Sequence, residues 1–164
     1  MCISVREATD ADHDWIADLL EIHWGSPSVV SRGRIHQADR LPAFIAMKDA
    51  EDVGLLTYSM EGDELEVITL NVLVKRCGIG RRLLEAARSA AAVADCRRVW
   101  LITTNDNAPA IGFYKHLGFS LVAVHEGAIR ESRRLKPEIP ETGVDGVPIR
   151  DELEFEVSVH PAGG

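Results

Sequence analysis

Between a β-rich run and a helix-like stretch the chain reads Lys75-Arg76-Cys77-Gly78-Ile79-Gly80-Arg81-Arg82. Two glycines at a helix start let backbone N–H groups come close to an anion, and the helix dipole favours negative charge at that end. Arg81 and Arg82 add cationic donors suited to phosphate. The segment reads as a pyrophosphate cradle, or as a tight strand-to-helix turn that holds no ligand. Two common phosphate loops are excluded. The dinucleotide fingerprint needs a third glycine where Leu83 stands, and the P-loop needs a Gly-Lys-Ser/Thr ending that is absent.

A second segment reads Asn107-Ala108-Pro109-Ala110-Ile111-Gly112-Phe113-Tyr114-Lys115-His116-Leu117-Gly118-Phe119. At helical spacing Ala110, Phe113 and Leu117 share one face, and Tyr114 stands one step round from it. Its ring is then part-buried while its hydroxyl reaches a cleft. A phenol of pKa about 10 is protonated at neutral pH and can hand its proton to a departing thiolate. Standing alone, a tyrosine at this position is equally an ordinary packing residue.

The elements around these segments follow from periodicity. Ile3, Val5 and Arg6 predict a first strand, and Thr9-Asp10 a cap for a helix carrying Trp15, Ile16, Leu19 and Leu20 at helical spacing. From Gly25 to Pro42 the pattern breaks up, with Gly, Ser and Pro beside Arg32, Arg34 and Arg40. Phe44 to Met47 and Val53 to Tyr58 are strand-like, with turns at 48–52 and 61–63. Leu65 to Val74 is β-rich and leads into the glycine pair. In the following helix Ile79, Leu83, Leu84, Ala87, Ala91 and Ala94 fall on one face, with Arg81, Arg82, Glu85 and Arg88 opposite.

Val99 to Ile102, apolar throughout, predicts a strand covered on both sides. Asn107 caps a helix over 108–117, with Pro109 in its first turn and Gly118 ending it. Phe119 to Val124 is another strand. Residues 127–150, rich in Pro, Gly and charge, read as a loop. Leu153, Phe155, Val157 and Val159 alternate with Glu152, Glu154, Glu156 and Ser158, which predicts a half-buried antiparallel strand.

The 164 residues fit one domain, expected over 1–160 with a frayed tail at 161–164. Apolar residues at 46% and charged residues at 27% match an ordinary globular chain, and the lack of a run of eighteen apolar residues argues against a membrane span. The first residues lack the basic-then-apolar pattern of a secretory signal. Cys2, Cys77 and Cys96 are odd in number and sit at no metal-ligand spacing, and the histidines form no HxxxH cluster. No metal and no disulfide framework are expected, and a reducing cytoplasm is the expected compartment. A net charge of −8 repels a phosphate backbone, which disfavours nucleic acid and is compatible with a cationic substrate such as an amine.

Taken together, the two segments resemble the GCN5-related N-acetyltransferase (GNAT) family. In that family a [Q/R]-x-x-G-x-[G/A] segment binds the coenzyme A pyrophosphate, and an N-x-x-A-x-x-[F/Y]-Y-x-x-x-G-F segment follows. Lys75-x-x-Gly78-x-Gly80 is similar to the first, with Lys75 in place of the usual Gln or Arg. Asn107-x-x-Ala110-x-x-Phe113-Tyr114-x-x-x-Gly118-Phe119 matches the second in full, and Val5-Arg6-x-Ala8-Thr9-x-x-Asp12 resembles the family's first strand and turn. The resemblance covers residues 3–125. It implies an α/β fold: a mostly antiparallel twisted sheet of about seven strands, splayed at the cofactor site and flanked by about four helices.

The resemblance further implies an acetyl-CoA-dependent N-acetyltransferase acting on a primary amine of a small molecule. Arg76, Cys77, Gly78, Ile79, Gly80 and Arg81 would wrap the pyrophosphate through backbone amides, Val74 and Lys75 would be further cofactor contacts, and Leu70 or Val72 would pair with the pantetheine arm. Asn107 would contact the cofactor, and Tyr114 would be the general acid. For the base the candidates are Glu66, a water chain or His23, with Glu64 and Glu66 as a merely solvated strand face the other reading. Trp24, Ser31, Arg32, Arg34 and Arg130 are candidate acceptor contacts, and an arginine there would suit a carboxylate-bearing amine. A protein lysine or N-terminus is the alternative acceptor, and an acyl-CoA-binding module without turnover the alternative class. Family members are often homodimers.

Overall fold

The computed structural model describes residues 3–159. Cys2 and the tail expected to fray lie outside them. In chain order the elements are β1 (Ile3–Glu7), α1 (His13–Trp24), β2 (Ser28–Ser31), β3 (Arg34–Gln37), β4 (Ala43–Lys48), β5 (Glu51–Glu61), β6 (Glu64–Val72), α2 (Ile79–Val93), β7 (Arg98–Thr104), α3 (Ala108–His116), β8 (Ser120–His125), α4 (Ala128–Leu135) and β9 (Glu152–Ser158). Seven strands form one mixed, mostly antiparallel sheet in the order β1-β4-β5-β6-β7-β9-β8, and β2 and β3 form a separate hairpin. This is the α/β architecture expected from the sequence. Within the described residues two compact units can be distinguished: 3–29, 37–99 and 158–159 in one, 30–36 and 100–157 in the other.

In the first unit adjacent residues of β4 and β5 serve two different helices. Ile45 and Leu55 belong to the core that α1 closes with Ile16, Leu19 and Leu20. Their neighbour Gly54 meets α2 instead, with Ala46 Cβ 3.3 Å from where a Gly54 Cβ would stand. Successive strand residues point to opposite faces, so the two helices cover the two sides of these strands. α2 buries Ile79, Leu83, Leu84, Ala87 and Ala91. Ala94, expected on that face, lies just past the helix end and is exposed.

Gly54 sets how close α2 can come. A Cβ there would stand 2.6 Å from Ile79 Cγ2 and 3.1 Å from Leu83 Cδ1. The helix therefore rests on bare backbone at its first turn, the same turn that carries the glycine pair. Bulges occur in β4–β5 and β5–β6, the second beside the buried Thr57–Thr69 hydroxyl pair at 2.7 Å. That second irregularity explains why Val67, Ile68 and Thr69 are buried consecutively where strict alternation would expose one.

The first turn of the chain is fastened by charge. Arg6 on β1 grips Asp12 through two nitrogens at 2.8 and 2.9 Å, and Asp12 also accepts the Thr9 N–H at 2.8 Å. The expected cap at Thr9 opens a short 3-10 turn over Asp10–Asp12, and the α-helix begins only at His13.

Several expectations need correction. The stretch 25–42, where the sequence pattern breaks up, holds the β2–β3 hairpin rather than an α-helix: its two-residue turn at Arg32 and Gly33 has φ 50° and 75°, which closes it tightly. The stretch expected as loop at 127–150 holds α4, a strongly amphipathic helix that buries only Ile129 and Ser132. β7 is not covered on both sides, because only Val99, Leu101 and Thr103 are buried. β9 pairs antiparallel with β8 as expected, but it lies inside the sheet, and Glu152 is buried along with Phe155 and Val159.

Replacing Gly54 by valine forces Ile79 and Leu83 off β5. We expect urea unfolding to show a loss of about 1–3 kcal/mol, the usual cost of overpacking a core.

Candidate active site

The glycine-pair segment joins β6 to α2. Gly78 is the N-cap of α2 at φ 71°, and Arg76 is also left-handed at φ 65°. Left-handed residues interleaved in a loop turn successive N–H groups into one concavity, a geometry that takes anions. A Cβ built on Gly78 meets nothing within 4 Å, so the loop faces open space. The first turn of α2 carries no acidic residue, and Arg81 and Arg82 are exposed beside it. Four N–H groups at a helix start have no partner within the helix, and the first turn of α2 adds no negative side chain to meet them. Cys77 is held within the loop: its Sγ accepts from Lys48 Nζ at 3.5 Å and donates to the Lys75 carbonyl at 3.6 Å.

β6 brings the other donor-site candidates to the same place. Leu70 stands opposite Leu56 and is partly buried, whereas Val72 stands opposite Gly54 and is 38% exposed. Between them Asn71 Oδ1 accepts the indole N–H of Trp24 at 2.9 Å. The candidate acceptor contact Trp24 is thereby pinned beside the candidate pantetheine strand. It can reach there because Gly25, at φ 81°, ends α1 directly after it.

Glu66 faces Ser59 across the β5–β6 pair and is partly buried. Glu64, which shares its periodicity, is fastened by Arg97 and by Arg98 Nε at 2.7 Å. His23 is exposed near the end of α1.

In the second unit Tyr114 sits on α3 amid three aromatic rings: Phe113 at 5.4 Å, Phe119 at 5.7 Å and Phe155 at 6.3 Å between centroids. Its side chain keeps some exposure, but burial pushes the hydroxyl pKa up to about 12. The phenol therefore holds its proton throughout the neutral range. Asn107 is the N-cap of α3, its Oδ1 accepting the Ala110 N–H at 3.2 Å.

Of the arginines expected near the acceptor, Arg34 and Arg130 are exposed. Arg32 is bound instead to Glu152, with Nη1 on Oε1 at 3.0 Å and the backbone N–H on Oε2 at 3.3 Å. Glu152 is 2% exposed, so its carboxylate holds that guanidinium and neutralises it. Ser31, beside Arg32, is buried.

Two polar residues of this unit escaped the sequence reading. Asp106 is buried and accepts from the Thr104 hydroxyl and the Val144 N–H. Asn105 ties down residues 148–151. The signal was the run Asn105-Asp106-Asn107 directly after an apolar strand, where short polar side chains bind nearby backbone.

Residues 10–119 match the sequence profile described as "Acetyltransferase (GNAT) family". The chain belongs to that family, and its class is that of an acetyltransferase. Among its relatives, the uncharacterized protein YdhI of Bacillus subtilis (strain 168) is 40% identical over 141 residues, spanning 85% of this chain and 88% of that one. Two solved structures share the fold at 16% identity. An aminoglycoside 6'-N-acetyltransferase complexed with coenzyme A superposes with a TM-score of 0.71 over 100% of both chains. The ribosomal-protein-S18-alanine N-acetyltransferase from Escherichia coli does so with a TM-score of 0.68, over 99% of this chain and 97% of that one.

The raised hydroxyl pKa of Tyr114 has a consequence for stability. The unfolded phenol ionises near pH 10, about two units before the folded one, so its contribution is complete below pH 10 and is lost as pH rises to about 12. Urea unfolding at pH 9 and 11.5 should therefore show a smaller alkaline loss in Tyr114→Phe than in the parent, by up to about 2 kcal/mol.

Proposed function

We propose that the chain transfers the acetyl group of acetyl-CoA to a primary amine of a small molecule, by direct attack of the amine on the thioester. The observation that carries this reading is the α2 N-terminus, open above Gly78, free of acidic residues in its first turn, and flanked by Arg76 and Arg81. That arrangement suits a pyrophosphate, with backbone amides of residues 76–81 as donors and Lys75 and Arg81 as counter-charges. Lys75 keeps the charge that an arginine would bring there and loses the planar hydrogen bonding of the usual Gln or Arg. Leu70, Val72 and Val74 are the pantetheine contacts in this reading, with Asn107 as a further cofactor contact.

Acetyl-CoA would supply an activated acyl group on a thiolate leaving group. The chain must then provide a base for the amine, a donor for the developing charge on the acyl oxygen, and an acid for the sulfur. Glu66 is the proposed base. It lies on the strand that leads to the cradle and is partly buried. A backbone N–H near Val72 is the proposed acyl-oxygen donor. Tyr114 is the proposed acid. With a pKa of about 12 it is protonated in every neutral enzyme molecule, and it offers its O–H to the thiolate as the bond breaks.

Trp24 is the best supported acceptor contact, since Asn71 holds it beside Val72. Arg34 and Arg130 are the proposed contacts for an anionic group on the acceptor, and the Arg32 charge is met by Glu152. The solved relatives act on unlike acceptors, an aminoglycoside by one name and a ribosomal-protein alanine by the other. Among the described residues no helix is long and apolar enough to cross a membrane. The unpaired thiols of Cys77 and Cys96 support a reducing cytoplasm as the compartment.

The test is thiol release from acetyl-CoA by the purified chain across amino acids, polyamines, aminoglycosides and short peptides. Amine-dependent release is expected. Calorimetric acetyl-CoA binding without release for any amine or peptide would instead favour the binding-module reading. Tyr114→Phe should lower kcat about 100-fold while acetyl-CoA affinity holds, the usual scale for a lost general acid. Arg81→Glu should weaken acetyl-CoA binding about tenfold or more at low salt by placing a negative charge beside the cradle.

A further inference from the structure

Residues 148–152 join separate pieces of the second unit through side-chain hydrogen bonds. Asn105, just past the end of β7, uses both ends of its amide. Its Nδ2 donates to the Pro148 carbonyl at 2.9 Å, and its Oδ1 accepts the N–H of Arg150 at 2.9 Å and of Asp151 at 3.0 Å. Its own N–H donates to the Asp151 carbonyl at 3.2 Å. Few side chains can satisfy a carbonyl and two amides at once, and leucine, alanine or aspartate at 105 would each abandon at least one of these groups.

From this clamp the connections spread. Asp151 Oδ1 accepts the N–H of Gly127, the left-handed residue that opens α4, at 2.9 Å, and the Ile129 N–H reaches the Arg150 carbonyl at 3.1 Å. Glu152, the next residue, holds Arg32 at the tip of the β2–β3 hairpin through both backbone and guanidinium. Three residues further along β9, the fully buried Phe155 packs on the ring of Tyr114. The hairpin tip, the start of α4 and the Tyr114 ring thus share one anchor. Residues 127–152 lie beyond the 10–119 stretch that matches the family profile, whereas Asn105, Arg32 and Tyr114 lie within it.

We propose that Asn105 is a positioning residue that sets which acceptor the chain acetylates: by clamping residues 148–152 it holds the hairpin tip, the start of α4 and the Tyr114 ring as one frame. The proposal rests on the acetyl-transfer reading above. Displacements near 1 Å in a residue that frames a reacting group can cost about 100-fold in rate, so a frame in which one side-chain amide satisfies three backbone groups is a sensitive control point. None of the bonds of the clamp involves the α2 cradle, so the donor should bind as before.

The experiment compares the full chain with Asn105→Ala, at a temperature where both give the same circular dichroism. With the best amine of the panel, the acceptor KM should rise tenfold or more and the preference among amines should flatten, while the acetyl-CoA KM stays within twofold. A fall in kcat alone, with both KM values and the amine preference unchanged, would overturn the proposal. If Asn105→Ala does not fold, Asn105→Asp keeps the two accepted bonds and loses the donated one. It should then show a smaller rise of the same kind, and an unchanged acceptor KM would again overturn the proposal. If the parent chain transfers no acetyl group, the acetyl-transfer reading itself fails, and amide hydrogen exchange decides the clamp. Exchange at Gly127 and Arg32 at least tenfold faster in the variant supports it, and unchanged protection overturns it.

Discussion

The contact on which the proposed donor site depends is the one between α2 and the bare backbone at Gly54. With Ile79 Cγ2 only 2.6 Å from where a Cβ would stand, the helix sits closer to β5 than any other residue would allow. The residues that make this contact, Ile79 and Leu83, belong to the first two turns of the helix, and the open cradle is at its first turn. Core packing and anion geometry are therefore coupled. The same burial that secures α2 also fixes the direction in which its unpaired N–H groups point. α1 closes the opposite face of β4 and β5 through Ile45 and Leu55, and it delivers Trp24 to the end of β6.

The second unit is organised on a different principle. Its notable buried groups are polar: Asp106, Glu152, Ser132 and Ser31 lie alongside Phe155, Leu101 and Ile129. A buried carboxylate is costly unless its oxygens are met, and both are met here. Asp106 takes the Thr104 hydroxyl and a loop amide, and Glu152 takes Arg32 twice. Gly143 can lie against Asp106 only because it has no side chain, since a Cβ would stand 2.0 Å from Oδ2. Directional bonds of this kind specify one loop conformation where an apolar contact would accept several. Arg133 adds to the effect by reaching the carbonyls of Pro140 at 2.7 Å and Ile149 at 3.0 Å.

Tyr114 illustrates how packing changes chemistry. Surrounded by Phe113, Phe119 and Phe155, the phenol is costly to ionise, and its pKa rises to about 12. A thiolate developing beside it would feel the same low polarity and become more basic. The proposed donation of a hydrogen bond into the breaking bond suits such a group, because donor and acceptor would be shifted together.

The sequence by itself determined α1, α2, α3 and most strands, because these helices carry periodic faces with recognisable ends at Gly25, Gly78 and Gly118. It also determined the family, through residues whose spacing is local: the glycine pair before α2, and the Asn107-to-Phe119 run on α3. What it left undecided depended on partners distant in the chain. The hairpin at β2–β3 and the short α4 are too brief for a period to declare itself, and each is fastened to the segment around Asp151 and Glu152. Glu152 read as the first of several solvated acids on an alternating strand. Only the placement of β9 between β7 and β8, with Arg32 arriving from 120 residues away, made it a buried ion-pair partner. Periodicity reports which side of an element is apolar; whether the polar side meets water or another part of the chain is decided by tertiary structure.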